Sequence, residues 1–582
     1  MCALSAALAI GPASLRAATA TRPNVILILA DDMGYGDVAC HGNPWLKTPQ
    51  LDRLHAESVC LEDFHTDPVC TPTRAALLTG RYSVRTGAWT ITEGRQLLHP
   101  DEFTMAQAFA ASGYRTAMFG KWHLGDPYPY APMYRGFQEV VAHRAGGVDE
   151  IGNPTGNHYF DDTYYRNGNP EKFHGYCTDV WFDETMRFIG EKPNSPEKQP
   201  FFVYLPLNAM HSPFGVTDAY ADPYRTQGHP EERARFYGMI ANLDYNLGRL
   251  LIRLRELGLE RDTLLIVMGD NGTAAKLPTN GTEPALFNAG MRGEKGSVYE
   301  GGHRLCCWAR WPAGFRGGRQ VGGLTAHFDL MPTLVDLCGL NVPHSLHFDG
   351  RSLRPLLEHD HPNWPDRTLV VSREPANITS TARAPFAVLT ESWRLVNREL
   401  YAIKSDPGQQ HDVAADHPDV VNRLTTAYRE WRKDVSHEHP QEARFLVGDS
   451  HENPTRFTAR DWFPDEGRAI WQTAQLADSD LFAQGFWLID ITQPGRYAVR
   501  LSRFPEDDPH PIGANEARLI INDQKQTQVT SPDASSVTFT LDLPAGPARL
   551  KTALREARSG KERGAYFVQV QLLDASATAG KP

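Results

Sequence analysis

The chain has 582 residues, 41% apolar and 22% charged, with 70 acidic against 59 basic side chains and a net charge of −11. That length fits about two to four domains, and the composition excludes a collagen-like, coiled-coil or mainly disordered chain. The acidic balance argues against nucleic-acid binding, which needs a basic footprint, so any anion site must be built from local positive charge against the global sign.

Residues 1–20 are small and apolar, carry no acidic residue and end in Ala18-Thr19-Ala20, an A-x-A cleavage pattern. They read as a secretory signal, which predicts a secreted or periplasmic protein. No later run approaches the ~20 apolar residues of a membrane span, so none is expected. Eight cysteines are too few for a disulfide scaffold at this length, and no C-x-x-C or zinc-like Cys/His spacing occurs.

Four short apolar runs each end in polar residues: Val25 to Ala30 before Asp31-Asp32, Tyr114 to Gly120 before Lys121-Trp122-His123, Phe201 to Asn208 before His211, and Leu264 to Gly269 before Asp270-Asn271. Such runs read as strands buried on both faces. Helical patterns lie between them at Gln50 to Val59, Asp101 to Ala111 and Glu231 to Leu257. The alternation predicts an α/β fold, a large, mostly parallel sheet sandwiched by helices over residues 21–345. In such sheets ligands sit at the carboxyl ends of the strands, where all four polar clusters fall.

Residues 346–433 read as a smaller α+β subdomain, with strands at Thr368 to Arg373 and Phe386 to Leu389 and a helix from Pro418 to Trp431. The His-, Glu- and Pro-rich stretch 434–461 reads as a linker. Residues 462–582 alternate in short strands separated by turns such as Pro494-Gly495, which predicts an all-β sandwich.

Three groups carry chemistry. In Cys70-Thr71-Pro72-Thr73-Arg74, Thr71 suits an N-cap and Pro72 the first helical position, with Gly80 as the stop. Cys70 then sits just before a helix N-terminus, which favours an anion and should acidify the thiol, with Arg74 reaching back towards it. Asp31, Asp32, Asp270 and Asn271 form an all-oxygen donor set at two strand ends. Adjacent carboxylates repel unless a cation separates them, and oxygen donors select Ca²⁺ or Mg²⁺ over zinc. Lys121, His123, His211 and Lys295 complete a cationic pocket for an anionic substrate.

These motifs are similar to those of the type I sulfatases of the alkaline phosphatase superfamily, the arylsulfatase-like enzymes. Cys70-x-Pro72-x-Arg74 followed by Leu78-Thr79-Gly80-Arg81 resembles the family signature. Pro23-Asn24-Val25 through Asp37, Gly120 to Gly125, Gly269 to Gly272 and Lys295 to Gly302 resemble its other motifs in order, and Leu400 to Gln410 its closing subdomain. The likeness spans about residues 23–432. It departs at His303, where a small or apolar residue is more usual, and at Ala402-Ile403, which replaces a more usual Asp-Leu.

The resemblance implies that a maturation enzyme oxidises Cys70 to formylglycine. Metal ligands would be Asp31, Asp32, Asp270, Asn271 and the residue at Cys70, with Ca²⁺ expected and Mg²⁺ second. Arg74 would stabilise the hydrated aldehyde, Lys121 and Lys295 would hold sulfate oxygens, His211, with Lys295, would protonate the leaving alcohol, and His123 would take the proton that reforms the aldehyde. The implied activity is hydrolysis of a sulfuric ester; the alternatives are a phosphonate or phosphodiester hydrolase of the same fold and an inactive glycan-binding protein. A sulfated glycan is the expected substrate. The aromatic- and His-rich stretch His143 to Asp179 reads as a specificity loop, with His143, Arg144, His158 and Asp161, and His303 outside it, as candidate substrate contacts.

Overall fold

A computed structural model describes residues 22–191, 199–275, 286–360, 362–375, 384–437, 442–465 and 469–575 of the protein. The leader read over residues 1–20 lies outside them.

A ten-stranded mixed sheet organises the first part of the chain. At its centre five parallel strands run in the spatial order Thr263–Gly269, Asn24–Ala30, Phe201–Pro206, Arg115–Lys121 and Glu139–His143. Antiparallel strands flank them: Cys307–Arg310 on one side, Thr163–Arg166 and Asn169–Lys172 on the other. The central strands are apolar through their middles, Val25 to Ala30, Ala117 to Gly120, Val140 to Ala142, Phe201 to Pro206 and Leu264 to Gly269, because both faces are covered. Ile26 and Ile28 pack on one face with Trp181, Tyr237 and Leu243 of the helices Cys177–Gly190 and Glu231–Glu256. Val25, Leu27 and Leu29 pack on the other with Leu77 and Leu78 of Cys70–Thr79, Phe109 of Met105–Ala111 and Leu334 of Leu330–Cys338. The expected α/β sandwich is the observed one.

A four-stranded antiparallel sheet follows, and the helix Pro418–His437 packs on it through Val420 and Leu424. Two of its strands, Trp393–Val396 and Glu399–Ala402, have no counterpart in the sequence reading.

The C-terminal part holds a seven-stranded and a four-stranded sheet. Their inward residues, among them Trp487, Tyr497, Val499, Phe539 and Leu550, form one core. That core also contains Leu97, Tyr130 and Ile151 from the first part of the chain. The linker expected over 434–461 is corrected here. The helix Pro418–His437 runs into it, and Phe445–Val447 and Thr455–Thr458 within it are strands, one in each C-terminal sheet. Phe445 and Phe457 point into the core, so a hydrophilic average composition conceals a few buried anchors. The seven described cysteines are all free. No helix among the described residues is long and apolar enough to cross a membrane.

Candidate active site

The five central strands end in adjacent clusters of polar residues. In sheet order these are Asp270 and Asn271, Asp31 and Asp32, then His211, then Lys121 and His123, and finally His143. Asp32 and His123 sit in left-handed backbone at φ 63° and 60°. Non-glycine residues adopt that region rarely and hold it where surrounding structure over-determines them, typically at functional sites.

Asp31, Asp32 and Asp270 are all buried, and each offers a carboxylate oxygen within 4.8 Å of the others. Three cations surround them. Lys121 Nζ lies 2.5 Å from Asp31 Oδ2, Lys295 Nζ 2.8 Å from Asp32 Oδ2, and Arg74 Nη2 3.0 Å from Asp270 Oδ2. Arg74 also donates to the Lys121 carbonyl at 2.7 Å, which ties the helix to the neighbouring strand end. Burial raises the Asp31 carboxyl, but Lys121, His211 and Arg74 together hold it well below the usual carboxylate range. Burial and then the repulsion of Asp31 push Asp270 up to about 8. Asp31 Oδ1 and the Asn271 side-chain carbonyl Oδ1 are buried with no hydrogen-bond partner. Buried acceptors of this kind are costly to leave unsatisfied. Three carboxylates and an amide oxygen, two of them with idle lone pairs, fit a hard divalent cation.

Cys70 is the first residue of its helix, not the residue before it. Val69 occupies the cap position, and the Thr73 N–H already bonds the Val69 carbonyl. Thr71 is not the cap; its hydroxyl has no partner. Pro72 is tolerated two positions further in, as the third helical residue, because the first amides of a helix have no intrahelical acceptor anyway. The expected acidified thiol is also corrected. Burial pushes the Cys70 thiol up, and Lys121 and Lys295 do not reverse it.

Cys70 Sγ lies 3.3 Å from His123 Nδ1. The opposite ring nitrogen, Nε2, is 3.2 Å from the Ile91 carbonyl. A carbonyl only accepts, so Nε2 carries the proton and Nδ1 presents its lone pair to Cys70. Burial and then Lys121 hold the imidazole well below its usual pKa, so it is neutral. His211 stands on the far side, its Nδ1 donating to the Ser212 carbonyl at 2.7 Å and its Nε2 left open. Burial and then Lys295 lower its pKa. Asp32 outweighs burial at Lys295 and keeps that ammonium charged. A cavity of about 500 Å³ opens beside Asp32, Lys295 and Phe214.

Several functional neighbours are missing from the sequence reading. Gly146 and Gly147 roof the two imidazoles: a Cβ on Gly146 would fall 2.4 Å from the His123 ring, and one on Gly147 3.0 Å from that of His211. The Gly146 N–H is fixed by Glu150 Oε2 at 2.8 Å. Arg460, from the C-terminal part, pairs with Glu150 at 3.3 Å and donates to the Ile91 carbonyl that His123 uses. A Gly-Gly pair inside a charged loop was the available signal for the roof; nothing in the sequence pointed to Arg460.

The candidate substrate contacts divide. His143 is buried beside Lys121 in sheet register, with Nε2 unpartnered, and burial takes its pKa down to about 4. Arg144 stacks over Tyr165 at 4.1 Å and lines a groove. His158 and Asp161 are exposed and bond within their own loop, to the Phe160 and Gly175 N–H groups. His303 is wholly buried, with Nδ1 2.9 Å from His65 Nδ1 and Nε2 3.2 Å from the Val298 carbonyl. It is a packing partner of His65 and is not open to a substrate.

A family model described as "Sulfatase" matches residues 23–340, and one described as "N-sulphoglucosamine sulphohydrolase, C-terminal" matches residues 293–434. The chain is 31% identical over 372 residues to N-acetylgalactosamine-6-sulfatase of Canis lupus familiaris, covering 60% of this chain and 69% of that one. It is 32% identical over 373 residues to Arylsulfatase A of Homo sapiens, covering 58% and 68%. Among solved structures it is similar to Ps i-CgsB in complex with k-i-k-neocarrahexaose, at a TM-score of 0.63 and 26% identity over 73% of this chain and 94% of that one.

Proposed function

The chain belongs to the sulfatase family and is a sulfatase, and from that premise we propose that it removes sulfate from a sulfated carbohydrate outside the cytoplasm, using a formylglycine made from Cys70 and a bound Ca²⁺. One observation carries this reading. The buried carboxylate cluster with idle acceptors lies at the strand ends beside the start of the Cys70 helix, and Cys70 faces the lone pair of a neutral histidine.

Asp31, Asp32, Asp270 and Asn271 would hold the cation, together with the side chain at position 70; Mg²⁺ is the second choice. The ion supplies positive charge that lowers the pKa of a bound hydroxyl and offsets charge on the transferred group. Formylglycine supplies an oxygen nucleophile that can be regenerated without water attacking a crowded sulfate. The unmodified thiol, buried and pushed up in pKa, is a poor nucleophile, which supports the need for that conversion.

The remaining roles fall to the chain itself. Lys121 and Lys295 donate to sulfate oxygens as their charge grows, and Arg74 anchors Asp270 and the Lys121 backbone. His123 Nδ1 accepts the proton from the hydroxyl at position 70. The Lys295 ammonium, kept charged by Asp32, supplies the proton to the leaving oxygen; His211 stands beside it, and because Nδ1 holds the resting proton, Nε2 would have to be protonated before His211 could share that role. Sulfated sugars are favoured by the relative named N-acetylgalactosamine-6-sulfatase and the similar structure in complex with k-i-k-neocarrahexaose, and by the aromatic loop carrying Arg144 and Tyr165.

The test compares an aryl sulfate, an aryl phosphodiester and a panel of sulfated oligosaccharides under one condition. A sulfated sugar should be the fastest substrate and the aryl sulfate a slower one. Faster phosphodiester cleavage would overturn the reading, as would binding of sugars without any turnover.

The glycine roof yields a separate expectation. Gly146→Ala places a methyl group against the His123 ring without requiring unusual backbone. Displacing a catalytic group by ~1 Å costs on the order of 10²-fold in rate, so kcat for the aryl sulfate should fall by that order. An unaltered thermal midpoint would show that the loss is local.

A further inference from the structure

A second cavity, of about 580 Å³, lies between the loop after His143 and the C-terminal sandwich. One wall carries Arg144, Asn153 and Tyr165, the other Arg456, Phe567 and Gln569. Its size is that of a small-molecule or oligosaccharide site.

Eight charged side chains line it, and six are engaged by the protein. Arg500 and Glu506 pair at 2.7 Å and Arg460 holds Glu150 at 3.3 Å. Asp126 accepts the Ala145 N–H, Asp461 accepts from Gln96 and the Thr458 N–H, and Asp507 accepts the Thr155 N–H. Two guanidinium groups remain. Arg144 has the Tyr165 ring beneath it and no ion pair among the described residues. Arg456 makes one loose ion pair with Glu506 at 3.6 Å, longer than a hydrogen bond and with its side chain 54% exposed, where such a pair contributes little. An acidic protein thus keeps two guanidinium groups facing one groove, Arg144 with no ion pair among the described residues and Arg456 held only by one loose, largely exposed pair. Planar guanidinium forks suit sulfate and carboxylate groups, and the Tyr165 and Phe567 rings with Pro127 and Pro505 offer apolar surface to sugar C–H faces.

The groove adjoins the active site through the chain itself. Arg144 leads directly into the Gly146–Gly147 roof, Asp126 follows three residues after His123, and Arg460 lines the groove while sharing the Ile91 carbonyl with His123. The sandwich also holds the roof loop: Glu150 bridges Gln472, and the Ile151 N–H donates to the Trp471 carbonyl at 2.9 Å.

We infer that this groove binds the sugar units next to the one being desulfated, with Arg144 and Arg456 taking an anionic group on a neighbouring sugar. The sandwich is then a wall of the substrate site. The inference rests on the sulfated-carbohydrate reading and adds chain length and a second anionic group to it.

The test measures binding by calorimetry to full-length Cys70→Ala protein, which cannot turn substrate over. The probes are tetrasaccharides prepared from heparin, chondroitin 6-sulfate and carrageenan, each with its matching monosaccharide sulfate. At least one tetrasaccharide should bind tenfold or more tighter than its monosaccharide. Adding Arg144→Ala and Arg456→Ala should bring that ratio close to one. Equal affinity for the two lengths overturns the groove assignment, and so does a ratio that survives the double change. Arg456→Glu, at an exposed position, repeats the test by repulsion should Arg144→Ala fail to fold. An enzyme that hydrolyses aryl sulfate yet neither binds nor hydrolyses any sulfated sugar overturns the carbohydrate reading underneath.

Discussion

Replacing Cys70 by Ala should lower turnover of an aryl sulfate on the order of 10⁵-fold or more, the scale seen when a covalent nucleophile is deleted from an enzyme whose groups act as a unit. The change removes one buried sulfur beside His123 Nδ1 and leaves the carboxylate cluster and its cations in place. The fold should survive, because Cys70 opens a helix whose core contacts come from Leu77 and Leu78. Cys70→Ser is the more instructive variant. It keeps a hydroxyl within reach of His123 but supplies no second hydroxyl to expel sulfate. Steady-state turnover should fall nearly as far, while one equivalent of alcohol is released per protein molecule. Steady-state kinetics and a single-turnover burst separate the two steps. Full multiple turnover by either variant would remove position 70 from the chemistry.

The second large effect concerns the cation. Stripping divalent ions should lower the rate on the order of 10³-fold or more, since charge at the reacting oxygens is worth several kcal/mol. Ca²⁺ should restore the rate more fully than Mg²⁺. A second readout is independent of activity. Ca²⁺ at about a hundred times its Kd should stabilise the fold by about 2.7 kcal/mol, measured as a rise in thermal midpoint, and Asp270→Asn should diminish that rise. Without an ion, Asp270 keeps its proton up to about pH 8, while the unfolded carboxyl loses it near 3.8. The folded state then binds more protons across that window, so metal-free stability should fall as pH rises through it. Ca²⁺ should flatten the slope. A chelated protein with full rate and no midpoint shift would leave the carboxylate cluster without a catalytic ion.

The strand ends were legible in the sequence because strands buried on both faces read as unbroken apolar runs, so the polar residues after each run mark where it stops. Asp31, Asp270, His123 and His211 could be placed at one edge on that ground alone. The start of the Cys70 helix was misplaced because Thr71 and Pro72 each suit a cap, and only the Thr73-to-Val69 bond shows the helix already under way. Short strands escaped for lack of pattern. Trp393–Val396 and Glu399–Ala402 have four residues each, and Gln524–Val529 reads QKQTQV with no apolar alternation. The stretch 434–461 resembled a linker because its composition is polar, yet Phe445 and Phe457 anchor it in the sandwich core. The roof over His123 and the Arg460 contact with the Ile91 carbonyl join residues far apart in the chain, 369 positions in the latter case. Local pattern carries no information about such pairs. His303 shows the opposite error: a residue type suited to sugars drew attention to a side chain that is buried in the core against His65.

The measurement closest to the central claim is mass spectrometry of the tryptic peptide Leu54 to Arg74 from active protein. The account predicts that Cys70 carries the mass of an aldehyde while Cys60 in the same peptide remains a thiol, and that specific activity across preparations rises in proportion to the aldehyde fraction. Active protein in which Cys70 is entirely unmodified thiol would contradict it.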